Sequence, residues 1–232
     1  MRLNLSQKSW VYLSFFSLLC LISKAVDASS LQLGILVEPG YEYRTLKDLS
    51  FGGSEYTKED YKMAGLSGSA IAQFMFVTKG PLVPFLGLGY NYTQLEGKKT
   101  IQDVDTKLTF KAHQSAIVEA GLGFTLSKKI RLEVFGDYQQ LLAGDIKLKV
   151  GDDELPSNKV DTKFKFGKNM KYRVGARFFV TAGQRFDFGL SGAYNLGKIR
   201  SKDEVEGVES DYLDYNGFQA NLVLRMRLGN TK

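Results

Sequence analysis

The chain has 232 residues, with 31 basic and 25 acidic side chains and a formal net charge of +6. The charges are scattered along the sequence, which does not indicate a nucleic-acid-binding protein. The single cysteine, Cys20, excludes a disulfide within the chain, and the length is that of one domain.

The amino-terminal segment has the features of a secretory signal peptide. Basic residues precede an apolar run, residues 11–22, and we predict cleavage after Ala28. The run is shorter than the roughly 20 apolar residues of a transmembrane helix, and no later segment approaches that length, which excludes a helical membrane protein. We expect residues 1–28 to be the leader and 29–232 the mature domain. Acylation of Cys20 is the disfavoured alternative, since a bulky leucine precedes it.

The mature chain carries eight stretches in which apolar and polar residues alternate, the pattern of a strand with one apolar face. In the last stretch Leu222 lies on the apolar face, whereas Asn221 and Arg225 lie on the other. Pro39 interrupts the first stretch, and we expect a bulge there beside Gly40. The predicted strands are residues 31–44, 63–77, 82–93, 110–126, 130–142, 170–181, 185–197 and 218–228.

The connections between these strands alternate strictly in length. In an up-and-down barrel this puts every short turn at one end, as in outer-membrane barrels with their periplasmic turns. Tyrosines on the apolar faces, mostly towards the long connections, are typical of a membrane-interface girdle. The sequence therefore favours a transmembrane β-barrel over a soluble, lipocalin-like barrel with apolar residues inside. The short connections are residues 78–81, 127–129 and 182–184, and the long ones are residues 45–62, 94–109, 143–169 and 198–216.

With this strand count, parity and loop asymmetry, the chain resembles the eight-stranded bacterial outer-membrane barrels of the OmpA transmembrane domain, OmpX and OmpW kind, within the wider porin superfamily. The closing segment, Phe218 to Leu228, is similar to the assembly signal read by the barrel insertion machinery of that family. The resemblance implies a bacterial outer-membrane location, export by a cleaved signal peptide, and contact with outer-membrane lipid and lipopolysaccharide. It also implies a monomer.

The inward faces carry charges of both signs, which survive in a lumen that eight strands just fill only if they are paired. Counting from the turn at residues 127–129 puts Glu119 roughly opposite Asp137, with Arg173 as the counter-ion. We predict ion pairs that plug the lumen rather than carboxylates for acid–base catalysis. The candidates are Glu119, Glu133, Asp137, Arg131, Arg173, Arg177, Asp187, Arg225 and Arg227. Other charges predicted to face inward are Glu38, Glu42, Lys111 and Arg185.

His113 and Ser115 form the only other pair that suggests catalysis. A lipid A deacylase of the PagL kind is an eight-stranded barrel with a similar His-x-Ser pair and a glutamate, which Glu119 or Glu133 would supply here. Parity, however, points His113 and Ser115 into the lumen and away from lipid. We therefore expect no enzyme, and no residue pattern indicates a cofactor or a metal ion.

The sequence predicts an all-β, outer-membrane barrel of structural or surface-interaction type with a filled lumen. A narrow, OmpW-like conduit for small apolar molecules is the main alternative, and the lipid-modifying enzyme is the second. If the protein binds an extracellular ligand, we expect the site in the third long connection, from Ala143 to Asn169, where the alternation continues past Leu142 as a hairpin.

Overall fold

The computed structural model describes residues 30–50, 58–101, 103–154, 158–159, 169–199 and 213–228. The predicted signal peptide lies outside the described residues, as do much of the connection 198–216 and part of 143–169. Among the described residues, no helix is long and apolar enough to cross a membrane.

Eight long antiparallel strands close into an up-and-down barrel, as predicted. Each pairs with its neighbour in the chain, and the first and last pair with each other to close the ring. Two further strands of two residues each, Asp153–Glu154 and Asn158–Lys159, pair with the end of the fifth long strand. The strands are β1 Ser30–Ser50, β2 Lys58–Val77, β3 Leu82–Ile101, β4 Val104–Thr125, β5 Ile130–Val150, β6 Asp153–Glu154, β7 Asn158–Lys159, β8 Met170–Ala182, β9 Phe186–Ile199 and β10 Leu213–Leu228.

The outer face of the barrel is apolar and exposed, while the buried side chains include many charges. Val174 is 68% and Leu222 65% exposed, whereas Glu38, Arg173 and Arg177 are each 0% exposed. A soluble barrel would have the opposite arrangement, so the lipocalin-like alternative is wrong and the barrel spans a membrane. Exposed tyrosines mark one edge of the apolar face: Tyr41, Tyr43, Tyr90, Tyr92, Tyr172 and Tyr194.

Several strands continue well beyond this tyrosine edge, and the sequence analysis predicted this only for the segment after Leu142. Residues 94–109, expected to form a loop, extend the β3–β4 pair as far as Ile101 and Val104. β5 continues to Val150, which confirms the alternation predicted past Leu142. Beyond the tyrosines the outer face of the strands is polar, because it meets water instead of lipid. Apolar residues of the extension point inward and pack together. We call this cluster, which lies outside the membrane belt, the second apolar core: Leu46, Tyr61, Met63, Leu95, Leu108, Phe110, Leu141, Ile146, Leu148, Ile199 and Tyr215.

Two residues predicted to face inward are exposed. Lys111 points outward because the β4–β5 register shifts between Lys111 and Gln114, next to Ala112 at φ 53°. One extra residue exchanges the faces on the two sides of a bulge, so Lys111, before it, faces outward while His113, after it, faces inward as predicted. Arg185 lies in the β8–β9 turn, after Gly183 at φ 71°.

The predicted bulge at Pro39 is also wrong. Pro39 pairs with Gly68 in a β1–β2 register that is continuous from Ser30 to Leu46. On the other side, the β1–β10 pairing omits two positions before Gly40 and resumes without a shift. Because proline lacks an N–H donor, the chain loses local pairing there but keeps its register.

Candidate functional site

The centre of the lumen is crossed by charged side chains from β1, β5 and β8. The register places Glu119 opposite Asp137, and Asp137 opposite Arg173. Arg173 Nε donates to Asp137 Oδ2 at 2.5 Å, and its Nη2 donates to Glu38 Oε2 at 3.2 Å. Arg173 therefore links β8 to its neighbour β5 and, across the lumen, to β1.

Arg177 makes a second bridge one layer closer to the short turns. Its Nε donates to Glu38 Oε1 at 2.7 Å, and its Nη2 donates to Glu119 Oε2 at 2.5 Å. The guanidinium carbon also lies 3.8 Å from the centroid of the Phe135 ring, a cation–π contact. Glu38 thus accepts hydrogen bonds from two arginines, with a further hydrogen bond from Ser69 Oγ at 3.0 Å.

A third group of charges lies nearest the short turns. Arg225 donates to Asp187 Oδ2 from Nε at 2.9 Å and also contacts Glu133 through Nη1. Arg227 Nη2 lies 3.3 Å from Asp187 Oδ1. Arg131 Nε lies 3.0 Å from Glu133 Oε1, outside hydrogen-bonding geometry. Gln73 connects this group to the layer above through Glu119 at 3.2 Å and Arg225 at 3.2 Å.

These contacts form one continuous network, which we call the lumen network. It joins five carboxylates and five guanidinium groups, so its charges balance. Buried charges at this density persist only when each has a partner and hydrogen bonds. Its members are Glu38, Glu119, Glu133, Asp137, Asp187, Arg131, Arg173, Arg177, Arg225 and Arg227.

A smaller charged group lies above the lumen network, level with the tyrosine edge. Glu42 accepts from Arg44 Nη2 at 2.8 Å, from Asn195 Nδ2 at 3.0 Å and from Lys171 Nζ at 3.5 Å. Arg44 also lies 4.0 Å above the Tyr215 ring. This group, Glu42, Arg44 and Lys171, is the upper triad, and it separates the lumen network from the second apolar core.

His113 and Ser115 are both buried and line a small cavity beside the upper triad. His113 Nε2 lies 3.3 Å from the Asp145 carbonyl oxygen, and its ring stacks on Phe110 at 4.7 Å. His113 pairs with Thr93, one position past Tyr92 and so just beyond the tyrosine edge. Burial lowers the pKa of His113 to about 3, with Arg44 adding to the effect. The glutamates proposed to complete a catalytic group, Glu119 and Glu133, are instead bound to Arg177 and Arg225.

The outer face of the β3–β5 extension carries a row of lysines. Lys98 pairs with Lys107, and Lys107 with Lys149, so the three occupy adjacent strands. Lys107 Nζ lies 2.9 Å from Glu96 Oε2. In the described part of the chain, no ion pair involves Lys98 or Lys149. The register continues to Glu154 of β6, and a surface depression of about 480 Å³ runs along this tip.

Sequence reasoning overlooked the central position of Glu38 and the whole upper triad as a group. Parity correctly indicated that Glu38 and Glu42 face inward. It did not indicate the position of these side chains along the barrel axis. The tilt of the strands sets that position and so decides which side chains of distant strands come into contact. The alternation of the sequence could have indicated part of the upper triad, because it places Arg44 two residues after Glu42 on the same face of β1.

No protein-family model and no curated protein sequence matches the chain. Among solved structures, the outer-membrane protease OmpT from Escherichia coli is similar, with 7% identity, a TM-score of 0.49, and coverage of 87% of this chain and 99% of that one. The attachment invasion locus protein Ail of Yersinia pestis, solved with the heparin analogue sucrose octasulfate, is 12% identical with a TM-score of 0.38, covering 86% and 99%. OprG from Pseudomonas aeruginosa is 9% identical with a TM-score of 0.37, covering 85% and 96%. By its own closed strand order, exposed apolar belt and buried charges, the chain is an eight-stranded transmembrane β-barrel.

Proposed function

We propose that this protein is a bacterial outer-membrane barrel of structural or surface-interaction type, with a lumen closed by ion pairs and an extracellular extension that meets partners. The observation that carries the proposal is the lumen network, whose arginines join strands on opposite sides of the barrel. An ion or small solute crossing the lumen would have to separate Arg177 from Glu38 and Glu119. A gap in this network would instead favour the narrow conduit.

The tyrosine edge and the short turns suggest the orientation. We propose that the short turns face the periplasm and that the extension beyond Tyr92 stands outside the cell. Lys98 lies six positions after Tyr92, which is about 20 Å along a strand. In this view the lipid and lipopolysaccharide contact the apolar belt, the insertion machinery reads Phe218 to Leu228, and the barrel works as a monomer.

The extension is suited to presenting a surface, because its own apolar core holds it in place. The Tyr61 hydroxyl lies 2.6 Å from the Thr106 carbonyl oxygen and accepts a hydrogen bond from the Leu108 N–H at 3.2 Å. A strand pair anchored in this way keeps its shape outside the membrane. The predicted ligand segment, Ala143 to Asn169, contributes the end of β5, up to Val150, to this surface.

The lysine row suggests the chemistry of a partner. Like charges directly opposite one another on adjacent strands are destabilising, and Lys98, Lys107 and Lys149 repeat this arrangement across two strand pairs. Lys107 is already paired with Glu96, so anionic groups bound along the row would chiefly compensate Lys98 and Lys149. We therefore propose that the extension recognises an acidic chain, such as an anionic polysaccharide, at the cell surface.

Conductance in planar bilayers tests the closed lumen. The refolded protein should give no steady conductance, while a variant that opens the network, Arg177→Ala, should conduct or flicker. A steady current through the unmutated protein would contradict the closed lumen and would favour the alternative function, a narrow conduit.

The surface role is tested separately, by binding of dextran sulfate to the refolded protein with uncharged dextran as the reference. Replacing Lys98, Lys107 and Lys149 together by Gln should weaken binding at least tenfold. The matched control replaces three exposed turn lysines at the other end, Lys79, Lys128 and Lys129, by Gln. Equal weakening by both triple variants would show that binding depends on net charge alone and would contradict the proposal.

A further inference from the structure

The cavity beside the upper triad combines three features that a buried anion site requires. It lies at the boundary between the lumen network and the second apolar core, and its lining includes Arg44, His113, Ser115, Gln139 and Lys171. We infer that this cavity binds one monatomic, monovalent anion such as chloride, held by Arg44 and Lys171. This site is independent of the proposed surface role.

The first feature is an excess of positive charge. The lumen network is balanced, but the upper triad has two cations, Arg44 and Lys171, for one carboxylate, Glu42. All three side chains are at most 5% exposed. An uncompensated charge buried to this degree is costly. Among the residues that the structure describes, no second carboxylate forms an ion pair with either cation.

The second feature is a donor without an acceptor. Arg44 uses Nε and Nη2 on the same Glu42 oxygen, at 3.1 and 2.8 Å. Its remaining nitrogen, Nη1, is buried and has no hydrogen-bond partner. Glu42 cannot supply one readily, because its oxygens already accept from Arg44, Asn195 and Lys171. A buried donor of this kind calls for an acceptor. Buried nitrogens without a hydrogen-bond partner also occur in Arg131, Arg173, Arg225 and Arg227, but of these five arginines only Arg44 lines the cavity.

The third feature is size. The cavity measures about 10 Å³, which is close to the space that one water-sized particle needs. Phosphate, sulfate and carboxylates are too large for this space, so an anion here must be monatomic. A halide is larger than a water molecule, and its binding requires a small outward shift of the lining side chains. A cation is disfavoured by Arg44 and Lys171. Water is the competing occupant, since Gln139 Oε1 also lacks a partner and is an acceptor.

Thermal unfolding of the detergent-refolded protein tests the site. Sodium chloride is titrated against sodium gluconate at constant ionic strength, so that screening stays fixed. Above the dissociation constant, each tenfold increase in chloride should raise Tm by about 3 to 5 °C. Bromide should act similarly. Equal Tm values in chloride and gluconate would mean that water occupies the cavity, and would overturn the inference.

Variants assign the effect to the cavity. Lys171→Met leaves the Glu42–Arg44 pair balanced and should abolish the chloride dependence. Lys62→Met, an exposed lysine of β2, should leave it intact. Should Lys171→Met fail to fold, a crystal of the unmutated protein soaked in bromide gives the answer directly. An anomalous peak within about 3.5 Å of Arg44 Nη1 supports the site, and a peak only elsewhere or none contradicts it.

Discussion

Glu38 and Arg177 are 139 positions apart in the sequence, yet two hydrogen bonds of 2.7 and 3.2 Å join them across the lumen. The same carboxylate also binds Arg173. Glu38 is therefore the acceptor on which both β8 arginines converge.

Glu38→Ala should lower the free energy of unfolding by about 3 to 5 kcal/mol, because it leaves two buried guanidinium groups short of a counter-ion. Ser69→Ala, which removes only a neutral donor to Glu38, should cost about 1 kcal/mol. Urea unfolding in detergent measures both. A cost for Glu38→Ala no larger than that of Ser69→Ala would show that the network contributes little to stability.

Asp137 and Arg173 allow a double-mutant cycle. Asp137→Ala alone should destabilise the barrel by roughly 3 to 5 kcal/mol, since it breaks a fully buried pair. Replacing Arg173 by Met in the same protein should recover much of that loss, although Arg173 also binds Glu38. Additive single effects in refolding experiments would be inconsistent with a direct pair.

Leu222→Arg should cost about 2 to 4 kcal/mol and impair insertion, because the charge would face hydrocarbon near the middle of the membrane. The matched control is Gln94→Arg, an exposed residue beyond the tyrosine edge of β3, which should be tolerated. The fraction folded into lipid vesicles, read from the heat-dependent gel shift, compares the two. Similar folding yields would argue against the assigned apolar belt.

Stability should fall as the medium is acidified below about pH 6.5. The pKa of His113 is lowered from 6.5 to about 3 in the folded protein, so the unfolded chain binds the extra proton first. Above pH 6.5 the neutral His113 makes its full contribution to the free energy of unfolding. That contribution is lost progressively as the pH falls to about 3. His113→Gln should flatten this part of the Tm profile, and an unchanged slope would contradict the assignment.

Protease added to intact cells should cut within residues 143–169 or 198–216. Lys79 and Lys128 should stay intact, although both are exposed in the short turns, because those turns are expected in the periplasm. Opening the outer membrane should make them accessible. Cleavage at either lysine in unbroken cells would show that the short turns face outward and that the proposed orientation is wrong.

The sequence was sufficient to predict the eight barrel strands, their order and the end at which the short turns lie. That success has a physical basis, since lipid outside and a crowded lumen inside impose a strict period of two. The prediction failed where that environment ends. Residues 94–109 keep the period of two, but here the apolar side chains point inward and the polar ones outward. Because we looked for apolar residues on the outer face, we predicted a loop.

The site was predictable as a set of inward charges, but not as a set of partners. Nothing in the sequence around Lys111 marks the register shift that turns it outward. Glu38 was expected to face inward, but only the tilt and closure of the barrel bring it to Arg177. Local pairs such as Asp137 and Arg173 follow from adjacent strands, whereas contacts across the lumen need the three-dimensional register.

The seam between β1 and β10 has a consequence for folding. Every other barrel ladder joins strands that follow one another, but this one pairs residues as far apart as Leu33 and Leu228. Until it forms, β1 and β10 are both open edges, available to a neighbouring chain. The bond from Arg177 to Glu38 also spans this gap. Protection of the strand edges and neutralisation of the interior charges therefore depend on the same long-range pairing. A chain arrested before that pairing would expose both unpaired backbone and uncompensated charge.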